Sequence, residues 1–240
     1  MRVMCEFFRK FSGLRLICLA LMVIFNSPAA VLADESADAR NLVENAQMSM
    51  ENFLTAPEMD AFRQLLKKAN GVFIAPQVLK GAFIIGASGG SGVMLARDQA
   101  GKWHGPAFYT IGEVSYGLQA GGKASEVILL AMTERGVTAF LENSIKLGAG
   151  VGVAAGPIGA GASAATANLS ADIISFSRSK GLFGGIALDG AVVATRDGLN
   201  EAYYARKVNS TEILIQHKVD SPQAAALIEV VSKGSAVARK

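Results

Sequence analysis

Apolar and polar positions first fall into step at Asp34. From there to Leu54, the residues Leu42, Ala46, Met50 and Phe53 recur at helical spacing, with Asp38, Arg40, Glu44 and Glu51 among them. That spacing predicts an amphipathic helix. Thr55-Ala56-Pro57 interrupts the pattern, and proline suits the first turn of a second helix. Its apolar face is Met59, Phe62, Leu65, Leu66 and Ala69. Lys67 and Lys68 stand in the last turn, where the helix dipole favours cations, and Asn70-Gly71 supplies a stop.

From Gly71 onward the period shortens. Val72–Pro76, Gly81–Gly86 and Gly92–Asp98 read as short strands between glycine-rich turns. Ala107–Ala120 continues with aromatic and β-branched residues, and Val127–Met132 is an apolar run. Thr133 is placed to cap a short helix through Asn143. Strands are expected again at Ile173–Arg178 and Ile186–Thr195, then a short helix capped by Asp197 that carries Glu201, Tyr203 and Tyr204. A last helix runs from Ser221-Pro222 to about Ser232 and buries Ala225, Leu227, Ile228 and Val231. This order predicts an α+β domain: a curved antiparallel sheet or β-barrel-like core with surface-packed helices at both termini. The 26 glycines fit bulges, sharp bends or close backbone approach within such strands. Leu147–Ala171 stands apart because it holds no charged residue. Six glycines and Pro157 argue against a helix there. It reads either as a close-packed strand pair joined by a loop or as a mobile apolar loop able to enter a lipid interface.

Residues 1–33 have a different grammar. Arg2, Arg9, Lys10 and Arg15 precede the apolar run Leu16–Phe25, and Val31-Leu32-Ala33 offers a cleavage site ahead of Asp34. This is the pattern of a secretory signal, and its apolar run falls short of the ~20 residues of a spanning helix. The chain is therefore expected to be exported to the periplasm or cell envelope and cleaved near Ala33. An N-terminal helix at 34–54 and a domain at 55–240 would remain. Both cysteines, Cys5 and Cys18, fall in the signal, so the remainder needs no disulfide. The segment also holds four of the 23 Lys and Arg and one of the 20 acids, Glu6, which leaves 19 of each sign. That balance argues against nucleic acid as a partner.

Chemical motifs are present but lack their context. Gly86-Ala-Ser88-Gly-Gly90 matches a hydrolase nucleophile elbow, with His217 downstream as a base. The motif needs a helix after the serine, whereas a strand is expected there, so hydrolysis at Ser88 is a remote alternative. Gly150-x-Gly152-x-x-Ala155, with Asp172 twenty residues after Gly152, matches a dinucleotide fingerprint, but Pro157 forbids the helix it requires. His104 and His217 are the sole histidines, and no metal-ligand spacing occurs. Glu113 and Glu126 read as structural or exposed rather than as an acid–base pair. No cofactor is expected, and the chain is read as non-catalytic.

Several ordered pieces carry a resemblance. Gly71–Pro76 with Lys80–Phe83, Ser91–Asp98, Trp103-x-x-Pro106-Ala-Phe108 and Thr133–Gly136 come first. Ala154–Pro157, Ser175–Phe183, Leu188–Gly190 and Ala202–Tyr204 follow. Together they resemble the SYLF lipid-binding domain over about Leu54 to Ile215. The resemblance implies a β-barrel-like core with surface helices, weak binding to phosphoinositides and other anionic membranes, and no enzymatic activity. It also implies links between membranes and actin in eukaryotic relatives, whereas an exported chain would meet other lipids.

Basic side chains beside apolar or glycine-rich stretches are the candidate lipid contacts: Lys80, Lys102, Lys123, Lys146, Arg178 and Lys180. Each attracts an anionic surface by about 1 kcal/mol. Trp103 is either a core residue or an interfacial anchor. The expected partner is an anionic phospholipid membrane surface. The alternative is an envelope protein bound through the N-terminal amphipathic helix.

Overall fold

The computed structural model describes residues 28–82, 85–116, 121–159 and 170–236. Helix α1 spans Pro28–Thr55, so it runs through the expected cleavage point, while residues 1–27 of the expected signal lie outside the described residues. Among the described residues, no helix is long and apolar enough to cross a membrane. Ala39, Val43, Ala46, Met50 and Phe53 form the buried stripe of α1, and Leu42 is half-buried beside it. Phe53 meets Phe62 at 5.5 Å and Phe183 edge-on at 4.9 Å. The helix is therefore part of the same core as the rest of the chain. A 3-10 turn at Pro57–Met59 leads into α2, Asp60–Leu66.

Four long strands follow: β1 Gly71–Ala82, β2 Ile85–Arg97, β3 Trp103–Tyr116 and β4 Gly121–Ala131. The expected strand Gly81–Gly86 is not a separate element. Gly81-Ala82 ends β1, Ile85-Gly86 begins β2, and residues 83–84 lie outside the described residues. Gly90 and Gly92 sit inside β2 because neighbours come too close for a side chain. A Cβ on Gly90 would lie 2.2 Å from the carbonyl oxygen of Gln77, and one on Gly92 would lie 2.5 Å from the Phe73 ring. Here β1 bulges, and its register with β2 shifts between Ile74 and Gln77.

Thr133 caps α3, Glu134–Ala139, by accepting a 3.0 Å hydrogen bond from the Gly136 amide; the helix ends well before Asn143. Short strands β5 Ser144–Lys146 and β6 Val153–Ala155 come next, then β7 Ile173–Ser179 and β8 Leu182–Gly185. Strand β9 covers only Val192–Thr195, so Ile186–Thr195 is not one strand: Gly190, at φ +91°, turns the chain and donates to the Leu147 carbonyl. Helix α4, Asp197–Tyr204, follows with Arg196 at the N-cap and Asp197 inside the first turn, and no side chain caps it. Helix α5, Ser210–Leu214, was not expected from the sequence pattern; Asn209 and Glu212 close it with a reciprocal capping box. The 3-10 turn Pro222–Ala224 precedes α6, Ala225–Ser235, and shifts its phase, so Ala224 is buried and Ala225 exposed.

The strands form one sheet in the order β5-β9-β3-β2-β1-β4-β7-β6, with β8 on β7. It curls into a half-barrel whose path does not close, and the β6–β7 pair is parallel. The sheet is thus mixed rather than antiparallel throughout, because β6 and β7 run in the same direction. Alternate residues feed two cores. Val72, Ile74, Val93, Leu95 and Ile128 pack under α1, α2 and α6 on the first face. Phe73, Met94, Tyr109, Leu129 and Val193 pack with Phe140, Leu188 and Leu214 on the second.

The uncharged segment Leu147–Ala171 is anchored to the sheet at several described points, while Gly148–Gly150 is exposed. Leu147 and Val151 are buried, β6 lies on β7, and Gly156 sits so close to Phe176 that a Cβ would meet its ring at 2.2 Å. Residues 160–169 lie outside the described residues. Asp172 fastens this segment. Its carboxylate accepts from the Gly152 amide at 3.0 Å and from the Thr133 hydroxyl at 2.8 Å, and it pairs with Arg135 at 3.0 Å.

Two predictions follow from this packing. Phe53→Ala lowers unfolding free energy by about 3–5 kcal/mol in urea titration, as deletion of a buried ring does. The hydrogen bond from the Gly152 amide, aided by Thr133 and Arg135, holds the Asp172 carboxyl below the usual carboxylate range. Its contribution is complete above the unfolded value of about 4 and fades as pH falls through the lower folded value. Asp172→Asn is therefore less stable at pH 7, and its stability falls less than that of the parent between pH 5 and pH 2. Parallel acid limbs in the two urea series would contradict this.

Candidate functional site

Each of the four long strands has a buried half and an exposed half. Val72–Ala75, Val93–Ala96, Ala107–Tyr109 and Val127–Ala131 are buried. Beyond them Leu79, Lys80, Ala87, Gly89, Val114, Lys123 and Ala124 are exposed. These halves lie side by side at one end of the sheet, the distal end.

The bulge at Pro76 sets which side chains share a face there. It inserts one residue into β1, so Val78 and Lys80 continue the face of Phe73 and Ala75, while Gln77 and Leu79 continue that of Val72 and Ile74. On the second face, Lys80 is opposite Lys123 of β4 and Ser88 of β2, and Ser88 is opposite Glu113 of β3. The result is a continuous row, Lys123–Lys80–Ser88–Glu113. It lines a cavity of 130 Å³ whose apolar wall includes Val78, Ile111, Val127 and Leu188. Among the described residues, neither lysine has an ion-pair partner.

The first face of the distal end is apolar. Leu79 is 56% exposed and Val114 67%, with Gly89 and Gly112 in register between Leu79 and β3. The β7–β8 turn stands beside them, because the Ser179 hydroxyl donates to the Ala124 carbonyl at 2.9 Å. Lys180 and Gly181 form that turn, both with positive φ as a two-residue hairpin loop demands. Leu182, at its exit, is 76% exposed. Three of the six most exposed large apolar residues in the described chain therefore gather at the end that carries Lys80, Lys123 and Lys180.

The other sequence-derived candidates lie elsewhere or are engaged. Arg178 pairs with Glu126 at 2.9 Å and sits over the Phe183 ring at 5.6 Å. Lys102 is exposed in the β2–β3 turn at the opposite end of the sheet. Trp103 next to it is buried, and its indole N–H donates to the Ser235 hydroxyl at 2.9 Å, so it fills the core and does not reach a surface. Lys146 is exposed on β5, opposite Val192. Sequence reasoning missed Leu79, Val114 and Leu182. Pro76 within a strand was the signal for the change of face at Leu79. The apolar stripe of α1 is consumed by the core, so a partner would meet its other side, which is polar apart from the exposed Met48. Asn41, Asn45 and Asn52 of that side line a groove of 650 Å³ against Gln77 and Leu79.

The tempting catalytic motifs acquire other roles. Ser88 lies within β2, between Lys80 and Glu113, with strand on both sides of it. His217 stacks on His104 at 3.5 Å, and His104 is in register with Ala96. That is eight residues along β2 from Ser88, about 27 Å of strand, so His217 cannot serve Ser88 as a base. Gly150-x-Gly152 leads into strand β6, which turns no cone of amides toward a phosphate, and Asp172 binds the Gly152 amide instead. Among the described residues, no group of three or more His, Cys, Asp or Glu side chains is placed to hold a metal.

Residues 112–234 match the family described as Ysc84, Las17-binding protein actin regulator. The SH3 domain-containing YSC84-like protein 1 of Bos taurus is 29% identical over 206 residues, covering 85% of this chain and 59% of the relative. The human protein of that name is 28% identical over 206 residues, with the same coverage. Protein YSC84 of Saccharomyces cerevisiae is 33% identical over 172 residues, 70% of this chain and 36% of the relative. The chain thus spans about three fifths of the length of the animal relatives it matches. With a half-barrel flanked by terminal helices and a family match over half its length, the chain belongs to the SYLF (Ysc84) family.

Proposed function

We propose that this protein is a non-catalytic peripheral lipid-binding domain, exported to the cell envelope, that rests its distal end on an anionic phospholipid surface. The observation that supports this reading is the gathering of three lysines and three exposed apolar side chains at one end of the sheet. A lysine near an anionic surface gains about 1 kcal/mol, and salt weakens that gain. Leu79, Val114 and Leu182 would add a part that salt does not screen, through burial of apolar area at about 25 cal/mol per Å². Phosphoinositide-type headgroups fall within the ligand class, and any multiply charged phosphate would profit from the same lysines. The family description names a protein partner for its members, Las17. In this chain an envelope protein partner, the alternative reading, would use the groove beside α1.

Vesicle co-sedimentation across a salt series tests the reading. The protein is expected to bind anionic vesicles, less tightly as salt rises, and neutral vesicles weakly. The pair Lys80→Gln and Lys123→Gln together weakens anionic binding by about thirtyfold at low salt, from two lost contributions of about 1 kcal/mol. Leu182→Asp weakens binding at every salt concentration while leaving the urea midpoint within experimental error, because Leu182 is exposed. Parent-like binding by both variants would overturn the assignment to the distal end. Absence of vesicle binding by the parent would favour the protein-partner reading.

A further inference from the structure

The row Lys123–Lys80–Ser88–Glu113 has a charge order that a purely anionic ligand does not explain. Lys80 and Lys123 occupy directly opposed positions of an antiparallel pair on one face. Like charges so placed repel. Among the described residues no carboxylate pairs with either of them, and no cation pairs with Glu113. Glu113 lies two strands from Lys80, about 10 Å across the sheet, with Ser88 between them. All four side chains line the same cavity, and Ser125 joins them. One side of the cavity therefore asks for negative charge and the other for a hydrogen-bond donor carrying positive charge. The apolar wall of Val78, Ile111, Val127 and Leu188 lowers the local dielectric and sharpens both demands. At 130 Å³ the cavity is well below the roughly 300 Å³ at which pockets for drug-sized ligands begin.

We propose that this cavity binds a phosphate ester bearing a primary ammonium, the phosphoethanolamine group. Its phosphate lies between Lys80 and Lys123, where it relieves their repulsion. Its ammonium, joined to the phosphate through two carbons, points past Ser88 toward Glu113. An ammonium has three N–H donors for the carboxylate and the serine hydroxyl, whereas a trimethylammonium has none and is bulkier. The cavity thus separates ethanolamine from choline esters. The inference rests on the membrane reading for its lipid source: Lys80 and Lys123 already lie at the end placed against the bilayer, and the headgroup of a single lipid would enter from it. The same chemistry in a soluble phosphoethanolamine-bearing molecule would satisfy the cavity equally well.

Calorimetric or NMR titration of the intact protein with O-phosphoethanolamine, phosphocholine and inorganic phosphate tests the chemistry. O-phosphoethanolamine is expected to bind at least tenfold more tightly than either of the others. E113Q, which removes the carboxylate with little change of shape, brings the three ligands to within about twofold of one another. K80Q with K123Q abolishes binding of all three. Equal binding of the three ligands by the parent, or binding of none, would overturn the proposal, as would a preference that survives E113Q. A second arm compares phosphatidylcholine vesicles with and without phosphatidylethanolamine, at equal and zero net charge. Tighter binding to the ethanolamine vesicles assigns the site to lipid. No difference between them, with the soluble preference intact, overturns the lipid source and leaves a soluble ester as the ligand. Binding to anionic vesicles that contain no ethanolamine is measured beside these. Its absence would overturn the membrane reading by itself, whatever the soluble titration gives.

Discussion

The packing of the α1 stripe on the first face of the sheet is the constraint from which the rest follows. Ala39, Val43, Ala46, Met50 and Phe53 bury that face over only the inner halves of β1 to β4. A strand longer than its cover must end in residues that tolerate water. On the second face, which α1 does not cover, Lys80, Lys123, Ser88 and Glu113 meet that requirement. On the other face Leu79 and Val114 do not. Exposed apolar side chains cost nothing that unfolding would recover, so folding alone does not account for their position at this end. The proposed membrane contact would take them up.

Pro76 links that cover to the chemistry at the tip. Strand β1 carries an even alternation from Val72 to Ala75, and without the bulge Lys80 would share a face with Val72 and Ile74. The extra residue moves Lys80 to the face of Lys123 and sends Leu79 to the opposite one. Gly90 completes the device, since only a residue without Cβ allows β2 to pass the Gln77 carbonyl at this point. A bulge and a glycine in adjacent strands thus decide that Lys80 joins Lys123 at the cavity and that Leu79 faces the other side.

Much of this was legible in the sequence. Helical spacing marked α1 and α6, and Thr133 marked the start of α3, because these signals are local. The glycines of β2 misled for a physical reason. Read locally, they punctuate strands, whereas Gly90 and Gly92 admit close approach from β1, a contact that no local pattern records. Val192–Thr195 merged with the preceding turn for a similar reason, since the turn is held by the Leu147 carbonyl far away in sequence. Lys80 and Lys123 were legible as cations but not as a pair, because register is a property of two strands. Trp103 was legible only as a choice between core and interface, and Ser235, 132 residues away, settles it as core.

Membrane binding as proposed requires that the distal end, and not the opposite end of the sheet, meets the bilayer. The most direct test places an environment-sensitive fluorophore on Leu182→Cys or on Lys102→Cys, with Cys5 and Cys18 replaced by serine. Anionic vesicles are expected to shift the emission at position 182 to the blue and to leave position 102 as in water. A shift at position 102, or none at either position while the protein is bound to vesicles, would contradict it.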